Sequence, residues 1–207
     1  MVDVIILSVL QGVAEFLPIS SSGHLAIGKQ LLGLGEAGLR LDIALHVGTL
    51  IAVFAFYWTV IRRIIMNLEW SYAFKVILSA VPAAVVGVLF KDQLDAAFDS
   101  SAAVGAALCV TGVILTITKF LPKGNNEVSY ARALLMGVAQ AIAILPGVSR
   151  SGMTLVAART AKVDAAKAAE FSFLMSAPPI AGAALLEVLK GMKEVSPAAG
   201  EVSWTLC

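Results

Sequence analysis

Gln11-Gly12-Val13-Ala14-Glu15-Phe16-Leu17-Pro18-Ile19-Ser20-Ser21-Ser22-Gly23-His24 sets a carboxylate, three consecutive hydroxyls and an imidazole in an otherwise apolar region. The surrounding chain of 207 residues is 59% hydrophobic and 14% charged, where ordinary soluble domains carry about 25% charged residues. This is the composition of an integral membrane protein. In hydrocarbon, ionisable groups are costly, so a cluster of them marks a functional site. A net charge of +1 offers no basic surface, and no nucleic-acid partner is expected. Cys109 and Cys207 have neither a metal-ligand spacing nor a disulfide framework.

Working outward from that stretch, residues 3–17 are too short to cross a bilayer, which takes about 20 apolar residues. Asp3 stands where a cleavable signal peptide carries basic residues, so none is expected. Pro18 and the serine run break the helix, which predicts a re-entrant half-helix lining a cavity. A short helix over about 24–33 and a Gly-rich turn at Gly33-Leu34-Gly35 should follow. Spanning helices are expected over 41–61, 72–90, 101–121 and 169–190. The first should end at Tyr57, Trp58 and Arg62-Arg63, the second should kink at Pro82, and the fourth carries Pro178-Pro179. Asp92, Asp95 and Asp99 are assigned to a loop. Residues 131–145, ending at Pro146-Gly147, predict a second re-entrant segment.

Alternating these crossings puts Arg62, Arg63, Lys75, Lys119, Lys123, Arg132, Arg159, Lys162 and Lys167 on one side. Lys29, Arg40, Lys91, Lys190 and Lys193 fall on the other. The first set marks the cytoplasmic face, which puts the N-terminus and the first re-entrant segment outside.

The chain also repeats itself. A shift of 129 residues aligns Gln11, Ala14, Ser20, Ser22 and Gly23 with Gln140, Ala143, Ser149, Ser151 and Gly152. A shift of 97 aligns Phe74, Ser79, Ala80 and Pro82 with Phe171, Ser176, Ala177 and Pro179. Three crossings separate the copies, so they enter from opposite faces and meet near the midplane. The fold expected is an all-α integral membrane protein, a polytopic helical bundle with two re-entrant helix-loop segments in an inverted-topology repeat. Residues 1–207 make a single membrane domain, with repeat 1 at about 1–121 and an incomplete repeat 2 at about 130–207. The second repeat lacks a counterpart of 101–121.

Gln11 and Glu15, four residues apart, share a helix face, and their oxygens suit a hard cation such as Mg²⁺ or Ca²⁺. Ser20, Ser21 and Ser22 alone would be a helix cap, but a serine near His24 is the minimal nucleophile and base pair. His46, in an apolar helix without local partners, is read as a core residue. Arg150 lies among Ser149, Ser151 and Thr154 after a helix-breaking Pro-Gly, a setting for bidentate phosphate recognition. Carboxylate, cation, serine, histidine and arginine are the parts of a phosphoryl-transfer site. In a membrane cavity its substrate would be a phosphorylated lipid. Paired re-entrant segments also describe a carrier, such as a polyprenyl-phosphate flippase.

The runs at 11–25 and at Leu145-Pro-Gly-Val-Ser-Arg-Ser-Gly-Met-Thr154 resemble the two hallmark motifs of bacterial undecaprenyl-diphosphate phosphatases, the bacitracin-resistance family. The resemblance extends through Leu41–Val53 and Glu170–Gly182. It implies hydrolysis of the terminal phosphate of undecaprenyl diphosphate, which recycles the lipid carrier for peptidoglycan and confers bacitracin resistance, with bacitracin competing for the substrate. By motif, Gln11 and Glu15 would bind metal and diphosphate, Ser21 and His24 would be nucleophile and base, and Arg150 would hold phosphate. Ser20, Ser22, Ser149, Ser151 and Thr154 would surround the substrate. His24 itself or water remains an alternative nucleophile. The resemblance also implies a multi-pass protein of the bacterial inner membrane whose site opens outward, with monomer and homodimer both open. Members run longer, with further membrane helices, so this chain is expected to be C-terminally shortened.

Overall fold

Polar side chains share the interior of this protein with an apolar core around Met136 and Phe171, and apolar side chains cover it. Gln11, Glu15, Thr49, Ser79, Thr111, Gln140, Thr154 and Ser172 are buried, while Ile5, Val9, Phe74, Val88, Val113 and Ile117 are exposed. In water, a surface of that kind would drive association. Against lipid it is the favourable arrangement, because the polar groups then satisfy one another inside. The computed structural model describes residues 2–34, 38–98 and 100–195. Gly35, Asp99 and the tail 201–207 lie outside the described residues, as do the side chains of Arg40, Asp95, Lys190 and Lys193.

Two helix–turn–helix units organise the chain. The first is α1 (Val2–Ala14) and α2 (Ser21–Leu31); the second is α8 (Tyr130–Ile142) and α9 (Arg150–Thr160). α1 and α8 have 13 residues each, and α2 and α9 have 11 each. Their caps match. The Ser20 hydroxyl accepts from the Gly23 N–H at 3.4 Å, and the Ser149 hydroxyl accepts from the Gly152 N–H at 3.1 Å. Each capping hydroxyl also lies 3.4 Å from the serine two residues on, Ser22 or Ser151. Capping by Ser20 lets α2 start at Ser21, earlier than the expected 24, so the serine run is the first turn of a helix.

Between the units, α3 (Gly38–Phe56) and α4 (Trp58–Met66) are bent by 68° about Tyr57. The single helix expected over 41–61 is therefore two. Arg62 and Arg63 lie within α4 instead of ending the helix. Trp58, Ile61 and Ile65 with two arginines make α4 amphipathic, suited to lie along an interface rather than cross it. α5 (Trp70–Leu89) and α7 (Ser101–Thr118) are long and apolar enough to span. α5 continues as a helix through Pro82, leaving the Leu78 carbonyl without its usual N–H partner. α6 (Lys91–Phe98) is a short helix where the sequence reading puts a loop, with Asp92 favourably placed in its first turn. α10 (Ala165–Leu174) and α11 (Ala177–Val195) include a further spanning stretch, Ala165–Leu186. Pro178 and Pro179 fall in the first turn of α11, where a missing N–H costs nothing.

α7 is the ruler against which both units are laid. At its start, the Gln30 amide donates to the Ser101 hydroxyl at 2.7 Å, and nearby Lys29 pairs with Asp42 of α3 at 2.5 Å. At its finish, the Arg159 guanidinium donates to the Leu121 carbonyl at 2.9 and 3.1 Å. α2 and α9 thus end at opposite ends of α7. The Arg159 end also gathers Arg132, donating to the Ala161 carbonyl at 3.2 Å, and Lys75, over the Tyr130 ring at 5.3 Å.

The units meet at glycine. A Cβ on Gly23 would stand 2.9 Å from the Gly147 Cα, and one on Gly147 would stand 2.5 Å from the Val104 carbonyl oxygen. Gly147 also has φ +91, in the region other residues avoid. Thr111 of α7 holds this turn, donating to the Gly147 carbonyl at 2.9 Å and accepting from the Ser149 N–H at 3.1 Å. Gly147→Ala should lower stability by about 2 kcal/mol or more, from backbone strain and overlap combined. Gly12→Ala, in open space on α1, should be neutral or mildly stabilising. Thermal unfolding of the two variants in detergent tests this contrast.

Candidate active site

Glu15 sits where α1 ends. Its N–H still bonds the Gln11 carbonyl at 2.9 Å, but Pro18 cannot extend the helix, and the chain turns back through 16–19 to begin α2. The carboxylate is 8% exposed and receives three donors. The Gln11 amide donates to Oε2 at 3.0 Å from one turn earlier on α1. The Ser21 hydroxyl donates to the same oxygen at 2.5 Å from the first residue of α2. The Arg150 guanidinium, from the first residue of α9, donates to Oε1.

Both half-helices therefore aim their N-termini at one point. Ser21 and Arg150 each open an 11-residue helix and each bonds Glu15. Helix N-termini carry unsatisfied N–H groups and the positive end of the helix dipole, and two of them with a guanidinium make an anion site. Ser20, just before Ser21, has φ 66 and ψ 91, a strained conformation for a residue other than glycine. The strain lies beside the site, where it fixes the direction in which α2 starts.

The second unit is tied down around Arg150. Its Nη1 donates to the Ser172 carbonyl at 3.3 Å, and Thr154 and Ser172 share a hydrogen bond of 2.6 Å. The Ser151 hydroxyl donates to the Leu17 carbonyl at 3.3 Å, joining α9 to the first turn. Of the residues singled out from the sequence, Gln11, Glu15, Ser21 and Arg150 come together. Ser20 and Ser149 are caps, Ser22 lies beside Ser20, and Ser151 and Thr154 brace the two units.

His24 does not join Ser21. Its Nδ1 donates to the Ser20 carbonyl at 2.7 Å, one turn back, while the Ser21 hydroxyl goes to Glu15. The acceptor beside the serine is the carboxylate. His46, read from the sequence as a core residue, is at the site instead. Its Nδ1 donates to the Asp42 carbonyl at 2.7 Å, and its Nε2 lies 3.7 Å from Glu15 Oε2. The signal for it was the one applied to Glu15, an ionisable side chain inside an apolar helix. Ser172 carried no such signal, since a serine among Ala and Phe reads as packing.

The donor set suits a hard cation when phosphate oxygens complete it. Gln11 Oε1 is buried without a hydrogen-bond partner, and the carboxylate of Glu15 and hydroxyl of Ser21 lie in the same cluster. Among the described residues no group of three or more His, Cys, Asp or Glu side chains is gathered for a metal. Protein ligands alone would leave Mg²⁺ or Ca²⁺ under-coordinated, and substrate phosphates commonly fill that role.

Known proteins resemble this chain over most of its length. Residues 4–205 match the family model described as "Bacitracin resistance protein BacA". The chain is 42% identical over 191 residues to an undecaprenyl-diphosphatase of Halothermothrix orenii, covering 89% of this chain and 73% of that protein. It is 43% identical over 188 residues to undecaprenyl-diphosphatase 4 of Bacillus thuringiensis subsp. konkukian, with the same coverage. An undecaprenyl-diphosphatase of Bacteroides thetaiotaomicron is 41% identical over 201 residues, 92% of this chain and 76% of that protein. The match takes in both helix–turn–helix units, and this multi-pass membrane chain belongs to the BacA bacitracin resistance protein family.

Proposed function

We propose that this protein hydrolyses the terminal phosphate of undecaprenyl diphosphate, giving undecaprenyl phosphate and so resupplying the lipid carrier of envelope polymers. The observation that carries the reading is the convergence of two helix N-termini and the Arg150 guanidinium on the Ser21–Glu15 pair. The family description and the names of the relatives support it.

In this reading the diphosphate takes Arg150 from Glu15, exchanging a carboxylate for phosphate oxygens that bind guanidinium equally well. Ser21, freed to attack, passes its proton to Glu15 as its oxygen bonds to the terminal phosphorus. The bond from that phosphorus to the bridging oxygen breaks, and undecaprenyl phosphate leaves. Water then cleaves the phosphoserine and releases inorganic phosphate. The α2 and α9 N–H groups and Arg150 stabilise charge on the equatorial oxygens. Gln11 and Glu15 would hold Mg²⁺ or Ca²⁺, which when bound neutralises diphosphate charge. His46 keeps Glu15 oriented, and His24 takes no proton from Ser21.

Support for the membrane placement comes from the clustering of Lys75, Arg132 and Arg159 at one end. By the positive-inside rule that end faces the cytoplasm of an inner membrane, and the site opens to the outer face. Bacitracin would compete there for the lipid diphosphate.

Phosphate release from a prenyl diphosphate by the purified protein tests the function. Glu15→Gln and Arg150→Ala should each lower kcat by at least about 100-fold, and EDTA should suppress the wild-type rate. Equal rates in wild type and both variants would remove the site assignment. Lipid transfer across liposomes without phosphate release would favour a carrier instead. Ser21→Ala should abolish the acid-stable phosphoserine trapped from substrate labelled on its terminal phosphate. Trapping no label in wild type while phosphate is released would make water the nucleophile.

A further inference from the structure

A chain of aromatic rings leads away from the site. Phe16 follows Glu15 directly, and Phe173 follows Ser172, whose carbonyl holds Arg150. The Phe16 and Phe173 centroids are 5.6 Å apart, and the Tyr57 ring stacks on Phe173 at 6.2 Å with 30° between planes. Phe56 continues the series, edge-on to Tyr57 at 4.9 Å. Glu15 at the inner end is buried, Phe173 and Tyr57 are half-buried, and Phe56 at the outer end is 78% exposed. The series therefore starts at the buried carboxylate and finishes at the lipid-facing surface.

Its direction is equally specific. α3 runs from Asp42, paired with Lys29 at one end of the molecule, past His46 at the site, to the break before Tyr57. Tyr57 is thus about 16 Å further along than His46, on the side of the site away from the Lys29 end. A lipid whose head occupies the site from that end has its tail directed along the same line. Tyr57 stands at the 68° break between α3 and α4, where its ring stacks on Phe173.

The geometry points to Phe16, Phe173 and Tyr57 as the surface that receives the first isoprene units of a polyprenyl diphosphate and so favours a prenylated diphosphate over one without a prenyl tail. This rests on the phosphatase reading above and adds the specificity element. Aromatic faces suit isoprene chains because flat rings offer large apolar contact with little side-chain entropy to lose. None of the three rings takes part in the hydrogen bonds that join Gln11, Glu15, Ser21 and Arg150, so their removal should be felt through the tail alone.

The experiment compares hydrolysis of undecaprenyl diphosphate with that of methyl diphosphate, a short substrate with no isoprene unit, by the full chain in detergent. Phe173→Leu keeps apolar volume and removes the ring; Tyr57→Leu does the same at the break. Each should raise KM for the long substrate by about tenfold, as expected for loss of aromatic contact, with kcat/KM for the short one unchanged. A parallel loss on both substrates would assign the rings a structural role and overturn the proposal. A diazirine on the first isoprene unit supplies a second reading that needs no substitution: it should label segments 13–17, 54–58 or 171–175. Labelling confined elsewhere overturns the proposal while leaving the phosphatase reading intact. Wild type inactive on both lengths removes the phosphatase reading and the proposal with it.

Discussion

The contact between Glu15 and Arg150 holds this molecule together as a functional object. It joins two residues 135 apart in sequence, each at the elbow of a short hairpin that cannot span a bilayer alone. An isolated charge at this depth would be expensive, and each group here is what makes the other tolerable. Removing one partner of such a pair leaves a buried charge, a loss of roughly 3–5 kcal/mol. The pair does not need to be the most stable arrangement to be useful. A carboxylate that holds a guanidinium in place also keeps it ready for another anion, and the diphosphate group is an anion with more oxygens to offer.

Everything around the pair serves to bring the elbows together. Gly23 and Gly147 allow the backbones to touch, Thr111 fixes the second turn from α7, and Ser151 reaches across to the first turn. The serine caps set the points at which α2 and α9 begin, so both N-termini face Glu15. The aromatic series from Phe16 to Phe56 then links the polar centre to the membrane. Polar atoms meet inside and apolar ones face lipid, the arrangement demanded when no water is present to satisfy a stray backbone group.

Much of this was legible in the sequence. Pro18 and Pro146 announced the two half-helices, and Glu15 and Arg150 stood out because charge in an apolar segment needs a reason. The repeat of Ser20-x-x-Gly23 in Ser149-x-x-Gly152 proved to be a repeat of cap geometry. Four features were not legible. The break at Tyr57 has no proline or glycine to mark it, and the ring it sets against Phe173 lies far away in sequence. The start of α2 lies earlier than expected because only Ser20 of the serine run is the cap, and Ser21 and Ser22 already belong to the helix. His24 drew attention by proximity in sequence to Ser21, yet in a helix the nearer acceptor can be a residue on the preceding turn. His46 was passed over for the opposite reason, as its partner Glu15 is brought to it by the packing of α1 against α3.

Binding of a non-hydrolysable prenyl methylenediphosphonate, measured by calorimetry in detergent, tests most directly whether Arg150 at this junction receives the diphosphate. Arg150→Gln should weaken binding by about 100-fold, the scale of a lost charge-assisted pair of hydrogen bonds. Arg159→Gln, which removes an arginine bonded to the Leu121 carbonyl at the basic end, should leave affinity unchanged. Equal affinities in wild type and both variants would contradict a diphosphate site at the meeting of the two half-helices.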